Sequence, residues 1–194
     1  MTQGAAKLSV PRKRGRPRRL DLERIVDAAL DMGLGNLEMN ALAERLGVGI
    51  GTLYGYVSSR QELINLAMSR TISQPLVKDY GQTWQEAVRE MAAASFNSFT
   101  SDRQMLVEFT RGTYDSTVGD AYQASMVAFL ASRGFDEEAA NNLYCEVNQT
   151  VLGASFGYLH KLDHPELAGS LPTMMGEYRR SLEWIVADYE KSVP

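Results

Sequence analysis

The sequence has little of what marks a disulfide-stabilised, membrane-spanning or metal-binding protein. It contains one cysteine, Cys145, so no disulfide can form within the chain and a thiolate metal site lacks its ligands. No apolar run approaches the roughly eighteen residues that cross a bilayer, and no apolar segment follows the basic N-terminus as it would in a secretion signal. We therefore expect a cytoplasmic protein.

Catalytic and cofactor-binding motifs are absent as well. There is no glycine-rich phosphate loop, no nucleophile elbow and no ordered set of acids and bases. His160 and His164 have the i, i+4 spacing of a helical metal pair, but Pro165 follows at once and no third ligand is evident. We predict no enzymatic activity, no cofactor and no metal, and we interpret the two histidines as cations at a helix end.

Charge is divided unevenly along the 194 residues, although the net charge is only −4. Residues 1–70 carry eleven Lys and Arg against seven Asp and Glu, and residues 71–194 carry nine against seventeen. The two parts therefore have net charges of +4 and −8. A basic front part suits a polyanionic partner, although a solvated charged face is the alternative.

The first twenty residues show no apolar periodicity and many basic residues, which predicts a flexible basic arm over residues 1–20. The segment KRGRPR within this arm resembles the Arg-Gly-Arg-Pro core of an AT-hook. Because such an extended segment fits a narrow A·T minor groove, Arg14, Arg16 and Arg18 are candidate DNA-binding residues. Nonspecific phosphate binding by a short basic tract is the alternative.

Residues 21–70 have the outline of a helix-turn-helix domain. A first amphipathic helix is predicted from an N-cap at Asp21 to about Gly33, and a short second helix from Met39 to Leu46. Gly47 is placed to take the left-handed conformation that ends the second helix. Two short helices joined by a tight glycine turn are typical of the motif.

A third short helix begins a few residues later, with a predicted inward face of Ile50, Leu53, Tyr54 and Val57. Ser59 and Glu62 then have the spacing of a capping box at the start of a fourth helix. From residue 75 to residue 194 the pattern changes to longer amphipathic helices near residues 84–99, 105–109, 122–130, 136–162 and 172–189. We predict an all-α fold of about nine helices, with the second domain over residues 75–194.

The stretch LAERLGVGIGTLYGYV over residues 42–57, with Arg60 and Leu63 after it, resembles the signature of the tetracycline-repressor (TetR) family of regulators. The resemblance implies that the third helix lies in the major groove. Base edges would then be contacted by Ile50, Gly51, Thr52 and Asn40, and phosphates by Tyr54, Tyr56 and Arg60. Amide, hydroxyl and guanidinium groups suit these roles chemically.

The sequence departs from the family pattern in its recognition helix, where Gly49, Gly51 and Gly55 are crowded together. Each glycine inside a helix costs about 1 kcal/mol relative to alanine, so we expect this helix to order fully only on DNA. Few side chains remain to read bases, which would shift specificity toward Asn40, Thr52 and DNA shape.

Small residues in a long helix predict where the second domain dimerises, because they let two helices approach closely. We expect an interface from residues 136–162 and 172–190, with packing inside one chain as the alternative. Its candidate residues are Val151, Gly153, Ala154, Gly157, Tyr158, Tyr178, Leu182 and Ile185.

A pocket for a small-molecule effector would lie inside the second domain, where aromatic residues, methionine and a few polar residues occur at helical spacing. Its candidate residues are Phe96, Phe99, Met105, Phe109, Phe129, Tyr144 and Asn148. Filling of an ordinary helical core is the alternative for most of them.

The sequence thus predicts a homodimeric transcriptional repressor that binds double-stranded operator DNA and is released by an apolar or aromatic effector. The alternative is an architectural DNA-binding protein with an AT-hook-like arm and no effector.

Overall fold

The computed structural model describes residues 20–73 and 79–191, so the predicted arm residues Arg14, Arg16 and Arg18 lie outside the described part. The described residues form nine α-helices, two 3₁₀ helices and no strand. The helices are α1 (Leu22–Met32), α2 (Met39–Leu46), α3 (Ile50–Leu53), α4 (Arg60–Ser73), α5 (Trp84–Ser101), α6 (Arg103–Arg111), α7 (Ser116–Ala131), α8 (Glu137–Asp163) and α9 (Leu171–Tyr189). The prediction of an all-α fold is confirmed.

The first four helices pack around apolar residues that the helical spacing had singled out. Asp21 caps α1 by accepting a hydrogen bond from the Arg24 amide at 2.9 Å. Gly47 ends α2 in the left-handed conformation, with φ of 70°, which is costly for residues that carry a Cβ. The centre of this core is fully buried and consists of Ile25, Leu34, Leu42, Leu53, Leu63 and Ile64.

Helix α3 is shorter than predicted and turns a narrower face inward. Leu53 and Val57 are buried, whereas Ile50 and Tyr54 are 38% and 47% exposed. The predicted inward face is therefore wrong for Ile50 and Tyr54. Helix α3 has four residues and makes about one turn, so Leu53 is its one buried residue.

Only one of the two hydrogen bonds of the predicted capping box at α4 forms. The Ser59 hydroxyl accepts from the Glu62 amide at 3.1 Å, but the Glu62 carboxylate accepts from the amide and hydroxyl of Ser58 instead of from Ser59. These hydrogen bonds from Ser58 lower the pKa of Glu62.

Helix α8 spans 27 residues and packs against α5, α7 and α9, so it is the centre of the later helices. Aspartate or threonine caps start α5, α6, α7 and α8. None of the described helices combines the length and the apolar character needed to cross a membrane. Two short 3₁₀ helices, Leu34–Asn36 and Pro165–Ser170, were not predicted.

Candidate DNA-binding surface and effector cavity

Helix α3 and the N-terminus of α2 carry several exposed residues on one surface. The buried Leu42, Ala43 and Leu53 fix the two helices against the core. The residues that this packing leaves exposed are Asn40, Ile50, Gly51, Thr52, Tyr54 and Tyr56. The structure therefore leaves the six predicted base and phosphate contacts on this part of the chain accessible.

The glycines of this surface leave open space. A Cβ added at Gly49 or Gly51 would meet no atom within 4 Å, whereas one at Gly55 would lie 3.2 Å from the Thr52 carbonyl oxygen. Packing within the chain is therefore tight at Gly55 and leaves room at Gly49 and Gly51. Gly49, the N-cap of α3, and Gly51 within the helix present no side chain on this surface.

Tyr56 connects the end of α3 to the start of the described chain. Its hydroxyl donates a hydrogen bond to the Leu20 carbonyl at 2.8 Å, and its side chain remains partly exposed. Leu20, which follows the basic segment in the sequence, is therefore held beside the end of α3.

Arg60 has backbone partners that the sequence did not predict. Its Nε donates to the Leu37 carbonyl at 2.7 Å and its Nη2 to the Leu34 carbonyl at 3.0 Å. The guanidinium group thereby satisfies two carbonyls in the 3₁₀ connection between α1 and α2. Two of the N–H groups of Arg60 are therefore already used within the chain, whether or not the guanidinium group also contacts a phosphate.

A cavity of about 340 Å³ opens between α4, α5, α6, α7 and α8. Its apolar wall is aromatic, and polar side chains from α5, α7 and α8 complete the lining. The aromatic residues are Phe99, Phe109, Tyr114, Tyr122 and Tyr144, and the amides are Gln123, Asn148 and Gln149. Burial raises the pKa of both Tyr122 and Tyr144 to about 12, so their hydroxyls stay neutral at physiological pH.

The structure places four of the seven predicted effector residues in this lining, namely Phe99, Phe109, Tyr144 and Asn148. Phe96 is buried elsewhere, with its ring stacked on Tyr178 at 5.2 Å. Met105 is buried outside the lining, and Phe129 packs beneath the Arg133 guanidinium at 4.6 Å. These three are corrected to core residues. The α7 residues of the lining were missed by sequence reasoning.

Helix α6 lies between the cavity and the first domain. Phe109 lines the cavity, while the preceding residue, Glu108, is 1% exposed and accepts a hydrogen bond from Gln61 of α4 at 2.9 Å. At the start of the same helix, Asp102 accepts a hydrogen bond from the Leu34 amide. Residues of α6 and its N-cap thus contact both the cavity and the group formed by the first four helices.

Glu108 is the buried carboxylate of this junction. Burial alone would raise the pKa of Glu108, but hydrogen bonds from Thr113, Gln61 and Gln104 outweigh burial, and the net pKa is lowered. The group is therefore ionised at neutral pH, and its charge is stabilised by donors from α4, α6 and the following turn.

Part of the predicted dimer interface is already used within the chain. Val151, Tyr178 and Leu182 are buried, and the Tyr158 ring contacts Phe96 at 5.5 Å. A Cβ at Gly157 would lie 3.1 Å from the Met174 sulfur, so α8 and α9 are close together at this glycine. For these residues the intrachain alternative accounts for the sequence pattern. Gly153, in contrast, is exposed and open.

The two histidines lie together at the end of α8, with ring centroids 4.4 Å apart, and His164 contacts Glu166. Across residues 20–73 and 79–191 no group of three or more His, Cys, Asp or Glu residues could hold a metal ion.

Solved structures with the same arrangement of helices come from TetR proteins. A TetR variant from Acinetobacter baumannii, in complex with minocycline, superimposes with a TM-score of 0.69 over 91% of this chain and 99% of the other, at 20% identity. The chain has the TetR fold. The TetR family protein ActR from Streptomyces coelicolor, in complex with actinorhodin, matches the TetR-fold chain with a TM-score of 0.63, at 22% identity, over 90% and 98% of the two chains.

Curated relatives agree with this fold. An HTH-type transcriptional repressor of Mycobacterium tuberculosis and an uncharacterized HTH-type transcriptional regulator of Mycobacterium bovis are each 24% identical in an alignment of 161 residues that covers 75% of this chain. The TetR-fold chain spans 61% of the length of these relatives. No family model matches it.

Proposed function

We propose that this TetR-fold chain is a sequence-specific DNA-binding transcriptional repressor that a small molecule releases from its operator. The observation that carries the proposal is the α2 and α3 surface, which holds Asn40, Ile50 and Thr52 exposed on a buried support. The curated relatives named as HTH-type regulators support it. We also propose that the chain belongs to the TetR family and has no catalytic activity.

The proposed contacts follow the chemistry of each exposed side chain. Asn40 pairs with an adenine edge, and the Thr52 methyl group packs on a thymine methyl in the major groove. Tyr54 donates a hydroxyl hydrogen bond to a phosphate, and on DNA Tyr56 exchanges its hydrogen bond to the Leu20 carbonyl for one to a phosphate. The basic segment before residue 20 adds charged contacts to the phosphates. Gly51 lets the helix backbone come close to the bases.

The aromatic cavity supports effector control over the effector-independent alternative. Its volume of about 340 Å³ lies at the lower end of the range for small-molecule sites. Related folds were solved in complex with minocycline and with actinorhodin. A ligand against Phe109 would move α6, and the contacts of Glu108 and Asp102 would carry that displacement to Gln61 and to the Leu34 turn.

We further propose that two copies associate through α8 and α9. These helices carry large apolar side chains that one chain leaves exposed, with Phe156 at 51% and Trp184 at 68%. Gly153, of the predicted interface, has open space at its Cβ position and would admit a helix of the second copy. Burying two such aromatics per copy is the kind of contact that anchors interfaces.

The test is selection of duplexes from a random double-stranded library by the purified full chain. A TetR-fold repressor should enrich a pseudo-palindromic consensus whose half-sites are centred about 34 Å apart or slightly more, because two recognition helices enter successive major grooves. Recovery of duplexes without any shared sequence would refute the proposal.

A further inference from the structure

The cavity lining is electrostatically one-sided. Asp120 of α7 lies at the cavity, and among the described residues no Lys, Arg or His lines it. The surrounding sequence, residues 71–194, carries a net charge of −8. An anion entering this site would find no compensating cation and would meet a negative field, whereas a cation would be attracted.

The Asp120 carboxylate is free to meet a ligand. Nearby acids are engaged, since Asp115 caps α7 through Thr117 and Glu108 is hydrogen-bonded to Gln61. In the described part of the chain Asp120 has neither an ion-pair nor a hydrogen-bond partner. The Asp120 charge acts on Tyr114: burial raises the pKa of Tyr114, and the Asp120 charge raises it further to a smaller degree.

The amides of the lining add further acceptors. Gln123 uses its amide nitrogen to donate to Asn141 at 2.9 Å, and Asn148 uses its own to donate to the Tyr144 carbonyl at 2.8 Å. In both side chains the carbonyl oxygen has no hydrogen-bond partner among residues 20–73 and 79–191. The cavity therefore offers these two oxygens to ligands that donate hydrogen bonds.

The aromatic wall suits a flat, positively charged molecule. The Phe99 and Phe109 rings lie 5.0 Å apart, and Phe109 stacks on Tyr114 at 5.4 Å with an interplanar angle of 11°. Such rings offer faces for a planar ligand to stack on, and the ring faces attract cations.

We propose that the cavity binds planar aromatic molecules that carry a positive charge or amine donors, with Asp120 as the residue that selects against anions. The inference deepens the proposed function, since it rests on this cavity being the effector site. It names the chemical class of the effector.

The test compares three tricyclic probes of similar size by fluorescence titration of the purified full chain without DNA. The probes are the cation proflavine, the neutral hydroxymethylanthracene and the anion anthracene carboxylate. We expect proflavine to bind at least about tenfold more tightly than the carboxylate, because the Asp120 charge attracts the first probe and repels the second. The same binding from both, or from neither, would overturn the inference.

Two variants locate the effect. Asp120→Asn should weaken proflavine about five- to tenfold and leave the neutral probe unchanged, because it removes a charge at constant shape. Glu90→Gln, at an exposed acid of α5 outside the lining, is the matched control and should change neither probe. An Asp120→Asn variant that keeps the preference for proflavine would contradict the role of Asp120.

Failure of this inference can be told from failure of the proposed function. Duplex selection measures DNA recognition without any ligand, so a chain that enriches a palindromic consensus but prefers the carboxylate probe remains a regulator with a different effector class. A chain that prefers proflavine but enriches no consensus duplex sequence would instead contradict the proposed function.

Discussion

Gly51 and Gly47 are four residues apart in sequence, yet they serve different physical purposes. Gly47 has φ of 70°, a conformation that costs other residues about 1–2 kcal/mol. Gly51 has helical geometry and open space around its missing Cβ. The fold requires the first glycine, whereas the proposed close approach of α3 to DNA would account for the second.

Substitution by alanine separates these two roles. Gly51→Ala should raise the free energy of unfolding by up to about 1 kcal/mol, because alanine favours the helix, and should weaken DNA binding. Gly47→Ala, the control, should lower the free energy of unfolding by about 1–2 kcal/mol. Urea unfolding and duplex titration measure both effects. Loss of stability in Gly51→Ala as large as that in Gly47→Ala would contradict this reading.

Arg60 makes a second residue-level prediction. Arg60→Lys keeps the positive charge but loses the fork that bonds the Leu34 and Leu37 carbonyls. We expect the free energy of unfolding to fall by about 1.5–3 kcal/mol, the usual worth of hydrogen bonds to charged groups. The salt dependence of DNA binding should stay unchanged if the residue meets a phosphate through its charge. Unaltered urea stability would show that the two carbonyl contacts carry little weight.

At the scale of elements, α6 links the cavity to the first domain through Glu108. The folded state lowers the pKa of this buried carboxylate below its ordinary value of 4.5. Its stabilising contribution is therefore present above that value and is lost as the pH falls through the lower folded pKa.

Glu108→Gln tests this link. The variant should lose about 1–3 kcal/mol of stability at neutral pH, because an amide cannot accept at both positions from Gln61, Gln104 and Thr113. Its stability should also fall less steeply with acid than that of the unmodified chain. Urea unfolding across the acid range measures both, with Glu90→Gln as the exposed control. An acid dependence identical to that of the unmodified chain would rule out Glu108 as a contributor.

Helices were predictable because their signals are local. Asp21, Gly47 and the apolar spacing of α1 and α2 act over a few residues, and the structure confirms the predicted bounds of α2. The two carbonyl contacts of Arg60 and the Asp102 contact with Leu34 join residues far apart in sequence, so no local pattern reports them.

The cavity was harder to predict than the helices around it. Phe96 and Phe99 belong to the same apolar stripe of α5, but only Phe99 reaches the cavity, while Phe96 packs on α9. The spacing of apolar residues identifies the inward face of a helix. It does not tell which residues of that face pack in the core and which line a cavity. Asp120 and Gln123 sit between apolar positions of α7, and this polar pair was the signal that sequence reasoning overlooked.

At the scale of the whole molecule, the exposed aromatics of α8 and α9 predict self-association. Trp184→Arg should shift a dimer to monomers in sedimentation equilibrium, because it places a charge where apolar surface would be buried. Tyr80→Arg is the control, since Tyr80 is 77% exposed and precedes α5 in the sequence, outside α8 and α9. A monomeric unmodified chain, or loss of the dimer in Tyr80→Arg, would refute the proposed interface.

The central claim is that α2 and α3 read DNA sequence, and a comparison of two selections tests it most directly. The unmodified chain and Asn40→Ala are each used to enrich duplexes from the same random library. Removing one bidentate base contact should relax the preference at one position of each half-site by about 1–3 kcal/mol and leave the other positions intact. An identical consensus from both proteins would contradict the claim.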